Sequence, residues 1–204
     1  MATNELEATL HVDGAYRRRS WLALRLSAED ALTKDELSNA LDMLPECDAL
    51  EGRKLVRLLS RSKDDAIAAA NRRIELGDEP DATADYAAAL VLLGDTSVAT
   101  RLVHPSQDPT YRSVMTKRMG EWCTAWGEHA KLITSDLPES LRSAIADSIT
   151  LGWKRVDLRA RASVLEFLTS IVETSQSLPA TVVSSVTHIS VSYTHLTLPT
   201  NREV

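Results

Sequence analysis

The sequence predicts an all-α fold and, within that class, an α-solenoid, a stack of antiparallel helix pairs. Three observations carry the prediction. The apolar residues are mostly Leu, Ala, Val and Ile with a single Phe at Phe167, and seven glycines and seven prolines are too few for a chain of many hairpins. Helix start and stop signals recur along the chain at helix-length spacing. Segments also match one another at a period of about 29 residues, and a helix pair of that length cannot bury its apolar face without neighbours; the alternative is an irregular helical bundle.

The elements follow in order. Over 34–44, Leu37, Ala40, Leu41 and Leu44 fall at helical spacing and Pro45 ends the run. Over 50–60, Leu55, Leu58 and Leu59 share one side. Ser62 with Asp65 three residues on reads as a capping box opening a helix over 63–76, and Gly77 suits the left-handed cap that closes it. A strong helix over 82–93 is closed by Gly94 and Asp95, and a short one over 97–103 stops before Pro105. Asp108-Pro109 is the sharpest local signal. Asp at the N-cap accepts from free backbone N–H groups, and Pro at the first helical position gives up a donor that would be unpaired anyway. A helix over 110–119 follows, with Val114, Met115 and Met119 as its stripe. Further helices are expected over 128–134, over 138–151 with Gly152 after its end, and over 158–174 with Val164, Leu165, Leu168, Ile171 and Val172 inward. Leu178-Pro179 terminates the last of these.

The repeat is visible residue by residue. Superposing Arg112 on Arg142 aligns Ser113 with Ser143, Met115 with Ile145 and Met119 with Ile149. The segment ending at Gly94 matches the one ending at Gly152, two periods away. The units Asp108-Pro109-Thr110-Tyr111-Arg112 and Pro138-Glu139-Ser140-Leu141-Arg142 resemble the short HEAT-like repeat, in which an Asp-Pro pair opens a helix and an Arg one turn on braces neighbouring repeats. That resemblance implies structural ladder roles for Asp108, Pro109 and Arg112, and for Pro138 and Arg142 in the second unit, which lacks the Asp. A longer stretch, 84–94 followed by 100–113, is similar to the helical linker of planctomycete-type proteins that join a serine/threonine kinase to a formylglycine-generating-enzyme-like domain. The likeness covers about 55–152 and implies a repeat module upstream of a catalytic domain. No kinase Gly-rich loop, HRD or DFG motif accompanies it, so no activity carries over.

The formal net charge of −6 argues against generic phosphate-backbone binding, so nucleic acid is not an expected partner. Arg17-Arg18-Arg19 beside Trp21–Leu26 reads as the exposed face of an amphipathic first helix, and Arg25 interrupts an apolar stretch already too short to span a membrane. Cys47 and Cys123 form no CxxC or metal spacing, and buried thiols in a reducing compartment are expected. MATNELEATL lacks the basic start and apolar centre of a signal peptide, which points to the cytoplasm. The cluster Trp122-Cys123-Thr124-Ala125-Trp126-Gly127-Glu128-His129 raises the possibility of a Cys–His nucleophile. With no orienting third residue and no oxyanion-hole signature, an inter-helix loop with two packing tryptophans is the reading adopted. His104 packs at a turn before Pro105, and His11, His129 and Cys47 have no zinc spacing. The acidic pairs Asp64-Asp65 and Glu29-Asp30 read as solvated helix starts. No catalytic, metal or cofactor residues are assigned.

The tail is a different matter. GTC TCT TAT ACA CAT CTG ACG CTG CCG ACG, from a transposase-type sequencing adapter, translates as Val191 through Thr200, and a barcode with the constant GTG TAG accounts for 201–204 and a stop. The expected organisation is therefore a helical lead-in over 1–30, HEAT-like repeats over 31–179, an interrupted element over 180–190 and a structureless adapter-derived tail over 191–204. The expected function is a non-catalytic scaffold that binds protein partners or neighbouring domains. The alternative is the upstream part of a multidomain enzyme.

Overall fold

Helices start where a side-chain oxygen can accept from backbone N–H groups that lack a carbonyl partner. In this chain Thr33 and Asp48 do so as complete capping boxes. Thr33 accepts from the Glu36 N–H while the Glu36 carboxylate accepts from Thr33 N–H, and Asp48 and Glu51 repeat the exchange. The computed structural model describes residues 2–28, 30–77, 80–174 and 178–197, and no strand occurs among the described residues. The helices are α1 (Ala2–Ser27), α2 (Lys34–Asp42), α3 (Ala49–Leu59), α4 (Lys63–Leu76), α5 (Pro80–Leu93), α6 (Ser97–Leu102), α7 (Pro109–Trp122), α8 (Trp126–Lys131), α9 (Glu139–Gly152), α10 (Leu158–Thr174) and α11 (Ala180–Thr197). Short 3-10 turns follow α3, α8 and α9.

Packing follows chain order. α1 packs on α3; α3 and α5 pack on α7; α7 packs on α9, and α9 on α11. α2 leans on α3 and α4, α4 on α5, α6 on α5 and α7, α8 on α9 and α10, and α10 on α11. One continuous apolar core runs beneath these contacts, from Leu22 in α1 through Leu55, Leu90, Met115 and Ile145 to Val182 and Ile189 in α11. The residues aligned by the repeat, Met115 with Ile145 and Met119 with Ile149, are all fully buried.

Several local expectations shift, each for a physical reason. Ser62 does not cap α4; its hydroxyl accepts instead from the Leu32 N–H at 2.9 Å, tying the start of α4 to the start of α2. The capping-box reading of Ser62 and Asp65 is corrected accordingly. Gly77 and Gly94 do take left-handed backbone angles at their helix ends, φ 77° and 94°. α7 runs three residues beyond Met119, through Gly120, because Trp122 at its end is wholly buried and anchors the last turn. Gly152 is the last residue of α9 rather than a cap beyond it. α11 is a full helix docked on α9 and α10, with Val182, Val186 and Ile189 buried, and it continues from Val191 to Thr197, where the sequence suggests a structureless tail. Residues 198–204 of that tail lie outside the described residues.

Three helical glycines set the helix spacing. A Cβ on Gly52 of α3 would overlap the indole of Trp122 from α7. One on Gly120 of α7 would stand 2.5 Å from the Ser148 carbonyl oxygen of α9, and one on Gly152 of α9 would stand 2.5 Å from the Gly120 carbonyl oxygen and overlap the Trp126 ring. Gly127, in α8, faces open space. Gly52→Ala is therefore expected to lower stability by about 2 kcal/mol or more through overpacking. Gly127→Ala should be neutral or gain about 0.5–1 kcal/mol from helix propensity. Urea midpoints of the two variants check the contrast, and equal midpoints would remove the close-approach account.

Candidate functional site

Cys123 and His129 do meet at one cavity. Cys123 caps the end of α7, and His129 lies in α8. Both line a space of about 360 Å³ with Val56, Val91, Leu93 and Leu132, and with Lys63 and Glu128. Burial decides what this pair can do. The Cys123 thiol is pushed up to about 12 by desolvation, which outweighs the opposing Ala125 backbone N–H. The His129 imidazole is pushed down to about 4 by desolvation alone. Both shifts favour the neutral thiol and the neutral imidazole over a thiolate–imidazolium pair. Cys47 is likewise buried, and desolvation raises its thiol to about 12.

Ser148 Oγ lies 2.8 Å from His129 Nε2 and 2.7 Å from the Ile145 carbonyl, which ties the ring to α9, while Nδ1 is buried with no hydrogen-bond partner. The ring edge meets Trp126, with centroids 6.5 Å apart at 78°. His129 is a neutral packing residue that links α8 to α9. His104, by contrast, is exposed at its turn, where its Nδ1 lies 2.7 Å from Ser106 Oγ.

The residues assigned to the ladder lie on a second surface. Asp108 caps α7 by accepting from Thr110 N–H at 2.8 Å, and that bond holds its carboxyl below the usual carboxylate range. Pro109 is the first residue of the helix. One turn on, Arg112 Nη2 reaches Asp147 of α9 at 3.3 Å, and Ser185 of α11 donates to the same carboxylate at 3.1 Å. A polar link thus crosses three successive helices. An open trough of about 600 Å³, lined by Arg112, Ser113, Thr116, Asp147, Thr150 and Leu151 together with Pro109, runs beside it. Pro138 caps α9 without a side-chain bond, and Arg142 does not reproduce the link of Arg112, its Nε being buried without a hydrogen-bond partner.

Sequence reasoning missed the link that is better buried. Asp85 of α5, 7% exposed at its side chain, accepts from Arg118 Nε of α7 at 2.7 Å. Arg118 also donates to the Cys47 carbonyl at 3.4 Å, lies 3.6 Å from Glu121 and stacks 5.1 Å from the centre of the Trp122 ring. A usable signal existed: Asp85 interrupts the apolar run of α5, and an acid there needs a cation. Arg17-Arg18-Arg19 is not a free basic patch either. Arg18 pairs with Glu46 at 2.9 Å, and Arg19 with Glu51 at 3.0 Å and Asp48 at 3.3 Å.

Among the described residues no group of three or more His, Cys, Asp or Glu side chains could hold a metal ion, and no helix is long and apolar enough to cross a membrane. No protein-family model, curated protein or solved structure matches this chain.

Two predictions follow from these geometries. The folded imidazole of His129 binds a proton less readily than an unfolded histidine, whose pKa is about 6.5. Its contribution to stability is thus complete above that pH and is lost as pH falls toward about 4. Unfolding free energy should drop by about 2 kcal/mol between pH 7 and pH 5 relative to His129→Gln, and parallel profiles for the two proteins would reject a buried neutral ring. Asp85→Ala removes the buried acceptor of Arg118, which keeps only the longer contacts to Glu121 and the Cys47 carbonyl, and should cost about 2 kcal/mol. Asp147→Ala, at a pair with both side chains about 40% exposed, should cost no more than about 1 kcal/mol. Chemical denaturation of both variants measures the difference.

Proposed function

We propose that the chain is a non-catalytic helical-repeat scaffold, a HEAT-like α-solenoid whose row α7, α9 and α11 presents a surface to protein partners or to neighbouring domains of its own polypeptide. The observation that carries this reading is the polar link Arg112–Asp147–Ser185, which spans three successive helices beside an open trough. Packing between helices close in chain order supports it, because a solenoid is held by nearest-neighbour interfaces. So does Leu151, a leucine left 58% exposed at the trough rim, where a partner's apolar side chain could cover it. The buried, protonated Cys123 and the neutral His129 support the non-catalytic half of the proposal.

A photo-crosslinking residue placed at Ser113 or Leu151, with Thr169 on α10 as the control position, tests the reading in lysate of the source cells. One protein should crosslink from both trough positions and not from position 169. Once purified, it should bind the chain with an affinity at least tenfold weaker for Leu151→Asp. Crosslinks that are equal at all three positions, or a partner indifferent to Leu151→Asp, would overturn the proposal.

A further inference from the structure

The N-terminal third carries two exposed surfaces with apolar side chains. α2 and α4 run side by side in the same direction, because Leu32 meets Ser62 at their starts while Arg73 reaches Ser38 and Asp42 near their ends. Between them lies a groove of about 580 Å³ floored by Leu37, Leu41, Ala69 and Leu76. Leu76 is 74% exposed, the largest value among the big apolar side chains described. The groove is electrically polar along its length. Asp35 and Asp65, opposed only by Lys34, stand at the end where both helices start, and Arg72 stands at the other. Asp35, Asp65 and Arg72 have no ion pair among the described residues.

The second surface is the outer face of α1. Arg18 and Arg19 turn toward Glu46, Asp48 and Glu51, which leaves Tyr16, Ser20, Leu24 and Ser27 as an outward stripe at helical spacing. Tyr16 and Leu24 are 71% and 70% exposed. Arg17 borders the stripe and, unlike its two neighbours, has no ion pair among the described residues. From Tyr16 to Ser27 the helix is about 17 Å long, the length of the α4 wall from Asp65 to Leu76. Asp30, 71% exposed at its side chain and 3.5 Å from Arg25, follows just past the helix end.

We propose that two copies of this chain associate through these surfaces, α1 of each lying in the α2/α4 groove of the other. Charge complementarity sets the direction: Arg17 meets Asp35 and Asp65, and Asp30 comes to the Arg72 end. Leu24 and Tyr16 cover Leu76 and the groove floor. The exchange is reciprocal, each copy giving its α1 and receiving its partner's, which makes the association two-fold.

Sedimentation equilibrium of the full chain, from about 1 to about 200 µM, reads the result. A monomer–dimer equilibrium is expected. Leu24→Asp and Leu76→Asp change exposed side chains, so circular dichroism should be unaltered while each raises the dissociation constant at least tenfold. Arg17→Glu should weaken the dimer similarly, and adding Asp65→Arg to it should restore the original constant to within about threefold. A monomer throughout the range would hand the groove to a helix of another protein and overturn the proposal. So would a dimer unmoved by Leu24→Asp or Leu76→Asp, or a paired reversal that restores nothing.

Discussion

The arrangement depends on how closely α3, α7 and α9 approach. Glycine in a helix interior costs about 0.5–1 kcal/mol relative to alanine, and this chain places one in each of those helices. Each lies where a neighbour's ring or backbone occupies the space that a Cβ would need. In return Trp122 is wholly buried against Gly52, and Trp126 is buried against Gly152. The other interactions follow from that spacing. Arg118 reaches Asp85 and the Cys47 carbonyl only because α7 lies tight on α3 and α5, and Ser148 can meet His129 only because α9 lies tight on α7 and α8. The indole N–H of Trp122 has no partner, an unmet polar group tolerated within an otherwise apolar contact.

Arginine supplies the second layer of connections, by closing helix ends as well as by pairing with acids. Arg61 donates to the Arg25, Leu26 and Ala28 carbonyls, which α1 leaves unbonded at its end. Arg161 does the same for the turn after α9, through the Lys154 and Val156 carbonyls. Arg25 spans from α1 to Glu36 at 3.1 Å and to Asp30 at 3.5 Å. The planar guanidinium suits this role because one side chain can serve two or three acceptors at fixed angles.

Local signals made the helices legible, and long-range ones were not. Asp108-Pro109 and Gly77 are readable because their chemistry is settled within a few residues. Ser62 misled because a hydroxyl can accept from any N–H in reach, and the Leu32 N–H, thirty positions away in the chain, was the one that arrived. The interior glycines at 52, 120 and 152 were informative only as costs, since nothing in the sequence names the tryptophan or carbonyl that justifies each one. The partner of Arg112 was hidden for the same reason: Asp147 is an ordinary helix acid until α9 is placed beside α7. The stretch from Val191, where the adapter match suggests a structureless tail, continues as helix through residue 197, extending a segment already held on α9 and α10.

Burial also shapes which protonation states the interior favours. Around Cys123 and His129 it disfavours both charged forms, thiolate and imidazolium. Proximity in a cavity therefore counts for less there than exposure does elsewhere. The large side chains left in water include Leu24 and Leu76 in the N-terminal third and Leu151 at the α7/α9 trough. These two surfaces share no lining residue. A dimer closed through α1, α2 and α4 thus leaves both troughs open, and two linked copies of a modest site hold a two-site partner far more tightly than either copy alone, because the second contact forms at the high effective concentration set by the first.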